Sequence, residues 1–499
     1  MGLFSNKKNN TNLLDKTLYT VPQTNTDITF ADSLETTIIV GATGSGKSSG
    51  PGKYIAHAML KKGYGFCVLC AKPDEKSRWI KYSEETKRSQ DLVIFDKDSN
   101  LNFNFLEYEM SRSGQGAGDV LNASELIINL NEQIRILQNG NSKGDEKFWD
   151  NSLRRLVIRT ILLLKITNET LTIHNIRKVI EESFNAEDMS IYKKIRQEAT
   201  SSRKISETDR KSAKDKLDFF IEHFYFIRLL EKAYKVDSDD AHITIDYWIN
   251  DFANLSEKTR SIVLESALGI LEPFVFNGIL RNKFSEGLSF ELLPENIIKN
   301  KKIVIVDFPI IEFGLSGILA NAIYKMTFQK AMERRNILNE DNPLPISLWI
   351  DEYQQFYSPI DSQFLATARS AWVANVFITQ NINGIYQLTQ NNQAQAKSLL
   401  ANMNLKYFCS NSDYETNLWA SNMIGEQWEY VDTINYDEKS DFKSKTSRLE
   451  KRRKVEIDEF TTLKTGRAAN NNIVECFVFK AGKTWGDDNQ NHALVQFNQ

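Results

Sequence analysis

An octapeptide, Gly41-Ala42-Thr43-Gly44-Ser45-Gly46-Lys47-Ser48, limits the possible folds more than any other stretch. It fits G-x-x-x-x-G-K-[ST] at every position. It follows the β-branched run Thr36–Val40 and opens a helix expected from about Lys47 to Lys62. The pattern has a physical basis. Glycines let backbone N–H groups converge on phosphate oxygens, and a helix N-terminus adds the positive end of its dipole. Gly41 to Ser48, together with Ser49, are the expected nucleotide-binding residues. Lys47 reaches the β- and γ-phosphates, and the Ser48 hydroxyl serves Mg²⁺. ATP and Mg²⁺ are therefore the expected cofactors.

A loop of this kind needs an acidic partner at the end of a neighbouring strand, and three candidates compete. Asp96 closes Leu92–Phe95, Asp307 closes Ile303–Val306, and Asp351 closes Ser347–Ile350. Only Asp351 is followed by a glutamate, Glu352. The chemistry divides between two carboxylates, one holding the metal and one polarising the attacking water. Asp351 is thus assigned to Mg²⁺ and Glu352 to general base. Gln380 follows the run Val373–Ile378, where an amide can orient that water; an ordinary loop amide is the plainer alternative. Arg369, before the same run, is either an arginine finger toward a neighbouring subunit's phosphates or a surface helix arginine.

Lys47 and Asp351 lie about 300 residues apart, so the sheet must be interrupted by a long excursion. The apolar pattern agrees. Strand-like runs at Phe66–Cys70 and Leu92–Phe95 give way, from about Leu121 to Pro294, to helical spacing such as Leu153, Leu156, Val157 and Ile161. Strand-like runs resume at Ile303–Val306, Ile346–Ile350, Val373–Ile378, Lys406–Phe408 and Ile473–Phe479. The expected class is α/β: a mostly parallel sheet interrupted by an inserted all-α domain. The expected divisions are a polar arm or edge strand over 1–34, a first nucleotide-binding part over 35–115 and the helical insert over 116–298. A second nucleotide-binding part covers 299–485, and a tail covers 486–499. Residues 434–455, ending near Lys451-Arg452-Arg453-Lys454, read as a mobile loop; its basic residues are a candidate phosphate contact.

Composition excludes several classes. With 62 Lys+Arg against 65 Asp+Glu, a net charge of −3 rules out coating nucleic acid by bulk charge. Four Cys in 499 residues make no disulfide framework. Cys67 and Cys70 sit three apart in a strand, on opposite faces, and read as structural rather than metal-binding. No run approaches the roughly 18 apolar residues of a membrane span, and the N-terminus lacks a signal-peptide core. A soluble, intracellular protein is expected.

The motif order resembles the type IV coupling proteins, the TraG/TraD-like conjugative ATPases. The likeness rests on Gly41–Ser48, Ala71-Lys72-Pro73-Asp74-Glu75, Asn104-Phe105-Leu106, Phe148-Trp149, Trp349-Ile350-Asp351-Glu352-Tyr353, Ala368-Arg369, Gln380, Ser410 to Gly425 and Glu459-Phe460 to Gly466. It covers roughly residues 35–480. The resemblance implies a RecA-like domain carrying an all-α domain and a homo-hexameric ring. It also implies ATP hydrolysis that drives DNA, single-stranded and relaxase-linked, or protein into a type IV secretion channel. Implied partners are DNA, a relaxase or relaxosome protein, channel components and a membrane-anchoring partner. The implied place is the inner face of a bacterial membrane. Two other readings stand: a nucleotide-dependent protein-cargo receptor, and an FtsK-like packaging or segregation motor. Two features depart from the family. Its usual transmembrane helices have no counterpart here, which favours a form recruited by a partner over one whose span was removed. The motif usually read Asp-Pro-Lys-Gly-Glu is Ala71-Lys72-Pro73-Asp74-Glu75 here, and no role is assigned to it.

Overall fold

Strands buried on both faces need nearly continuous apolar sequence, and six such runs build the centre of one sheet. The computed structural model describes residues 13–137, 146–200, 206–276, 278–389, 392–436, 443–486 and 490–499. Its main strands are β3 (Thr37–Val40), β4 (Gly65–Leu69), β5 (Leu92–Asp96), β6 (Ile303–Asp307), β7 (Ile346–Ile350), β8 (Val373–Thr379) and β9 (Leu405–Cys409). β12 (Ile473–Lys480) and β13 (His492–Asn498) complete the sheet. The order is β13-β12-β9-β3-β8-β7-β4-β6-β5. From β9 to β6 the strands are parallel, and every residue of those six is buried. β12 then pairs antiparallel with β9, and β13 with β12.

One compact unit comprises Met1–Ile94, Pro294–Ile311 and Phe328–Gln499. In it, helix Lys53–Lys61 buries Ile55, Ala56, Met59 and Leu60 in the core that also holds Phe66, Val68 and Trp349. Helix Asp74–Glu85 is anchored by Trp79, whose ring lies 5.0 Å from Phe66 and 5.3 Å from Trp349. Such aromatic pairs contribute about 0.5–1.5 kcal/mol beyond their buried area. The second unit comprises Phe95–Leu293 and Glu312–Thr327. It is helical, with no named strand among its described residues between Leu101 and Leu293. Trp149 lies in its helix Glu146–Ile166; the Phe148 side chain falls outside the described residues.

Three readings are corrected. Residues 434–455 are not an irregular loop: β10 (Glu426–Tyr436) and β11 (Lys443–Arg453) form a separate antiparallel pair, and 437–442 lie outside the described residues. Alternation is poor there, because both faces are polar, so periodicity gave no strand signal. Residues 486–499 are not a tail, since β13 lies at one end of the sheet order; its Val495 and Phe497 are buried. In the 1–34 arm, β1 (Thr17–Val21) and β2 (Thr26–Thr29) form a hairpin with Leu18, Val21 and Ile28 in the core; residues 1–12 lie outside the described residues. All four cysteines are buried, and none forms a disulfide. Among the described residues no single helix is long and apolar enough to cross a membrane.

Candidate active site

The loop between β3 and the following helix closes with backbone that only glycine takes readily: Gly44 and Gly46 have φ of 78° and 82°. A Cβ on Gly46 would lie 2.4 Å from Val474, so the position also has no room for a side chain. The helix does not start as a regular α-turn at Lys47. A wide π-type turn spans Ser48–Gly52, with Pro51 inside it, before the α-helix begins at Lys53. The loop is tied on both sides by backbone bonds: Gly41 N–H donates to Thr379 O (3.2 Å) and Ala42 N–H to Ser410 O (2.9 Å). Thr43 and Gly44 are exposed, Ser45 and Lys47 are buried, and Lys47 Nζ lies 3.4 Å from Ala42 O.

Strand order decides among the three aspartates. β7 is two strands from β3, with β8 between, whereas β6 is four away and β5 five. At about 4.8 Å per strand this separates Asp351 from the loop strand by roughly 10 Å, but Asp307 by about 19 Å and Asp96 by about 24 Å. Only Asp351 is within reach of the loop. Its Oδ2 accepts a hydrogen bond of 2.7 Å from Ser48 Oγ. Asp307 is instead paired with Lys76 at 2.7 Å.

Glu352 lies beside it, 3% exposed, in the left-handed region at φ 58° and ψ 51°. That conformation costs a non-glycine residue about 1–2 kcal/mol and turns the carboxylate into the site. Several contacts hold it there. Its N–H donates to Asp351 Oδ1 (3.0 Å), Lys72 Nζ pairs with Oε1, and the amides of Gln354 and Gln380 donate to Oε2, the latter at 3.1 Å. Tyr353 stacks on Phe377 at 4.3 Å and fixes the turn from below. Burial pushes the Glu352 carboxyl up, but the Lys72 bond and charge, with Lys47, more than offset this and hold it below the usual range. Lys72 is disfavoured as a cation by burial, yet bonding to Glu352 and the nearby carboxylates raise it above the usual lysine value.

Gln380 is therefore at the site, directly after β8, the strand between the loop and the acid pair, and Asn411 Nδ2 anchors its carbonyl at 2.9 Å. Arg369 is not. It precedes β8, at the opposite end of that strand from Gln380, with Nη1 3.5 Å from Glu35 Oε1 and the side chain exposed. Seven residues of β8, about 23 Å of strand, separate it from its own chain's Gln380.

The structure adds residues that sequence reasoning left without a role. Lys72, Glu75 and Arg78 follow β4, the strand next to β7. Arg78 Nη1 lies 3.3 Å from Asp351 Oδ2. Glu75 is 2% exposed and accepts from Ala71 N–H (3.0 Å), while its other oxygen has no hydrogen-bond partner. Burial, with the charge of Asp351 adding to it, pushes that carboxyl well up. The dense charge of Lys72–Arg78 directly after a buried strand was the available signal; its target needed the strand order.

The donor set fits a magnesium-bound nucleoside phosphate. One hydroxyl and one carboxylate already meet, where a cation can sit between the two oxygens once the hydroxyl O–H turns aside, and a hard cation of this kind takes few protein oxygens besides phosphate and water. Among the described residues no cluster of three or more His, Cys, Asp or Glu offers a rival site.

The model of the type IV secretory system conjugative DNA transfer family matches residues 3–468. Among solved structures, the unbound monoclinic form of the bacterial conjugative coupling protein TrwBΔN70 aligns with a TM-score of 0.57 and 14% identity. That alignment covers 99% of this chain and 92% of that one. TrwB in complex with the non-hydrolysable GTP analogue GDPNP gives 0.55 and 15%, over 93% and 86%. TrwB in complex with ADP and Mg²⁺ gives 0.53 and 14%, over 99% and 92%. At these identities the likeness is one of fold, a RecA-like P-loop NTPase fold with a mostly parallel sheet. A search of curated protein sequences gives no significant match.

Proposed function

This chain belongs to the type IV secretory system conjugative DNA transfer family, and from that premise we propose that it is an ATP-hydrolysing coupling protein. It recruits relaxase-linked, single-stranded DNA and drives it into a type IV secretion channel. The observation that carries the reading is the meeting of Ser48 with Asp351, at 2.7 Å, beside Glu352. A chain needing nucleotide only as an assembly switch has no use for the second carboxylate.

In this reading Lys47 and the loop N–H groups bind the phosphates, and Ser48 and Asp351 hold Mg²⁺. The metal ion, when bound, spreads the charge of the phosphate oxygens. Glu352 accepts the proton of the attacking water, and the low position of its carboxyl keeps it ionised at neutral pH. Both of its oxygens are engaged, by Lys72 on one and Gln354 and Gln380 on the other. A carboxylate oxygen accepts two hydrogen bonds, so the one that carries Lys72 alone keeps a site for the attacking water. Gln380, on the other oxygen of the same carboxylate, orients that water.

Arg369 lies away from its own chain's site, as an arginine finger serving a neighbouring subunit of a homo-hexameric ring does. The chain works at the inner face of the membrane through a relaxase, channel components and an anchoring partner. The test is steady-state ATP turnover with and without single-stranded DNA. Stimulation by DNA is expected; stimulation by a protein cargo alone would turn the reading to a cargo receptor.

A further inference from the structure

The loop has a second wall, built by the chain's last segments. Gly46 and Gly50 pack on Val474 at the start of β12, where an added Cβ would lie 2.4 Å and 2.9 Å from that side chain. Just before it, Gly466 N–H donates to Ile473 O (2.8 Å) and turns the chain back over the loop. Arg467 follows, at φ 63° and ψ 171°, a conformation that residues with side chains rarely adopt. Its position is pinned. Arg467 N–H donates to Gln499 Oε1 (2.7 Å), its carbonyl accepts from Asn472 N–H (2.8 Å), and Gln499 Nε2 donates to Ser49 Oγ (2.7 Å).

The guanidinium reaches the loop itself: a Cβ built on Gly44 would lie 3.3 Å from Arg467 Nη2. The side chain is exposed, and among the described residues no hydrogen bond or ion pair engages its guanidinium. An arginine stays charged at any working pH. A fixed, unpaired cation over a glycine loop that already carries Lys47 is an arrangement completed by an anion.

We propose that Arg467 is a further phosphate-binding residue, gripping the polyphosphate of a nucleoside di- or triphosphate from the side opposite the acid pair. Gln499 is its positioning residue. The inference rests on reading Gly41–Ser48 as the phosphate cradle. A planar guanidinium presents paired donors to phosphate oxygens, which a lysine does not. Position 44 then has two reasons to be glycine: its own φ of 78°, and the arginine above it.

Calorimetric titration of the full-length chain with ATP, ADP and AMP tests this, with Lys47→Ala as the reference. Arg467→Ala is expected to weaken ATP and ADP binding about tenfold or more. AMP should bind as weakly as before, and the melting temperature without nucleotide should not move. Arg467→Lys should recover part of the loss. Gln499→Ala should cost about threefold in the same direction, since the guanidinium remains but wanders. Wild-type affinity in Arg467→Ala, with binding lost in Lys47→Ala, would overturn the inference and leave the cradle standing. Wild-type affinity in both would remove the cradle itself. A lowered melting temperature without nucleotide, with Arg467→Lys no better than Arg467→Ala, would reduce Arg467 to a structural residue.

Discussion

The phosphate loop has two neighbours of different kinds. On one side the parallel strands β8 and β7 bring Gln380, Asp351 and Glu352. On the other the antiparallel pair β12 and β13, with the turn at Arg467, covers the loop. The first wall holds carboxylates and amides hydrogen-bonded to one another. The second holds packing contacts, glycine turns and, among the described residues, the unpaired guanidinium of Arg467. In the proposed reading the difference is a division of labour: bond-breaking chemistry on the parallel side, grip and shape on the antiparallel side.

Substitutions can break or sharpen this contrast. The largest expected effect belongs to Glu352→Gln, which should lower ATP turnover by about a hundredfold or more while nucleotide affinity holds. Comparable turnover would move the base elsewhere. Lys47→Ala should cost about tenfold or more in ATP affinity by titration, a binding loss from the loop rather than from either wall. Gln380→Ala should lower the rate constant several-fold with little change in affinity; equal losses in both would make it a structural amide.

A pH profile sharpens the parallel side further. With Lys72 in place the Glu352 carboxyl lies below its usual range, so turnover should stay level as pH falls through neutrality. Lys72→Met leaves burial as the dominant influence, and the acid limb of the rate profile should move to higher pH. An unmoved limb would mean that the Lys72 pair does not act on the base.

The smallest effect is on the antiparallel side. Burial, with the Lys454 charge, lowers His492 on β13 to about 4. The unfolded histidine takes up its proton near 6.5 and the folded one only near 4, so its contribution to stability is complete above 6.5 and is lost as pH falls toward 4. His492→Gln should flatten the melting temperature across that window and leave turnover untouched.

The two sides also differ in how far they could be read from sequence. The parallel strands are mostly apolar, as burial on both faces requires, and their ends carry Asp351, Glu352 and Gln380 at recognisable positions. Even the choice of Asp351 over Asp96 and Asp307 was available, because only it is followed by a second acid. What sequence lacked was strand order: nothing in Lys72 or Arg78 announces that β4 lies beside β7. The antiparallel side was harder still. β13 alternates weakly, with Leu494 half exposed and only Val495 and Phe497 buried toward its end. The pair β10–β11 hides its period because charged residues occupy both faces. Arg467 earns its place only through a turn and a contact some 420 residues away in sequence.

The central claim is that Ser48 and Asp351 hold one metal ion at the phosphates. Its most direct test is Mn²⁺ affinity, read by electron paramagnetic resonance, in the complex with a non-hydrolysable ATP analogue. Asp351→Asn and Ser48→Ala should each weaken Mn²⁺ binding about tenfold while the analogue still binds. Wild-type Mn²⁺ affinity in both variants would contradict the account.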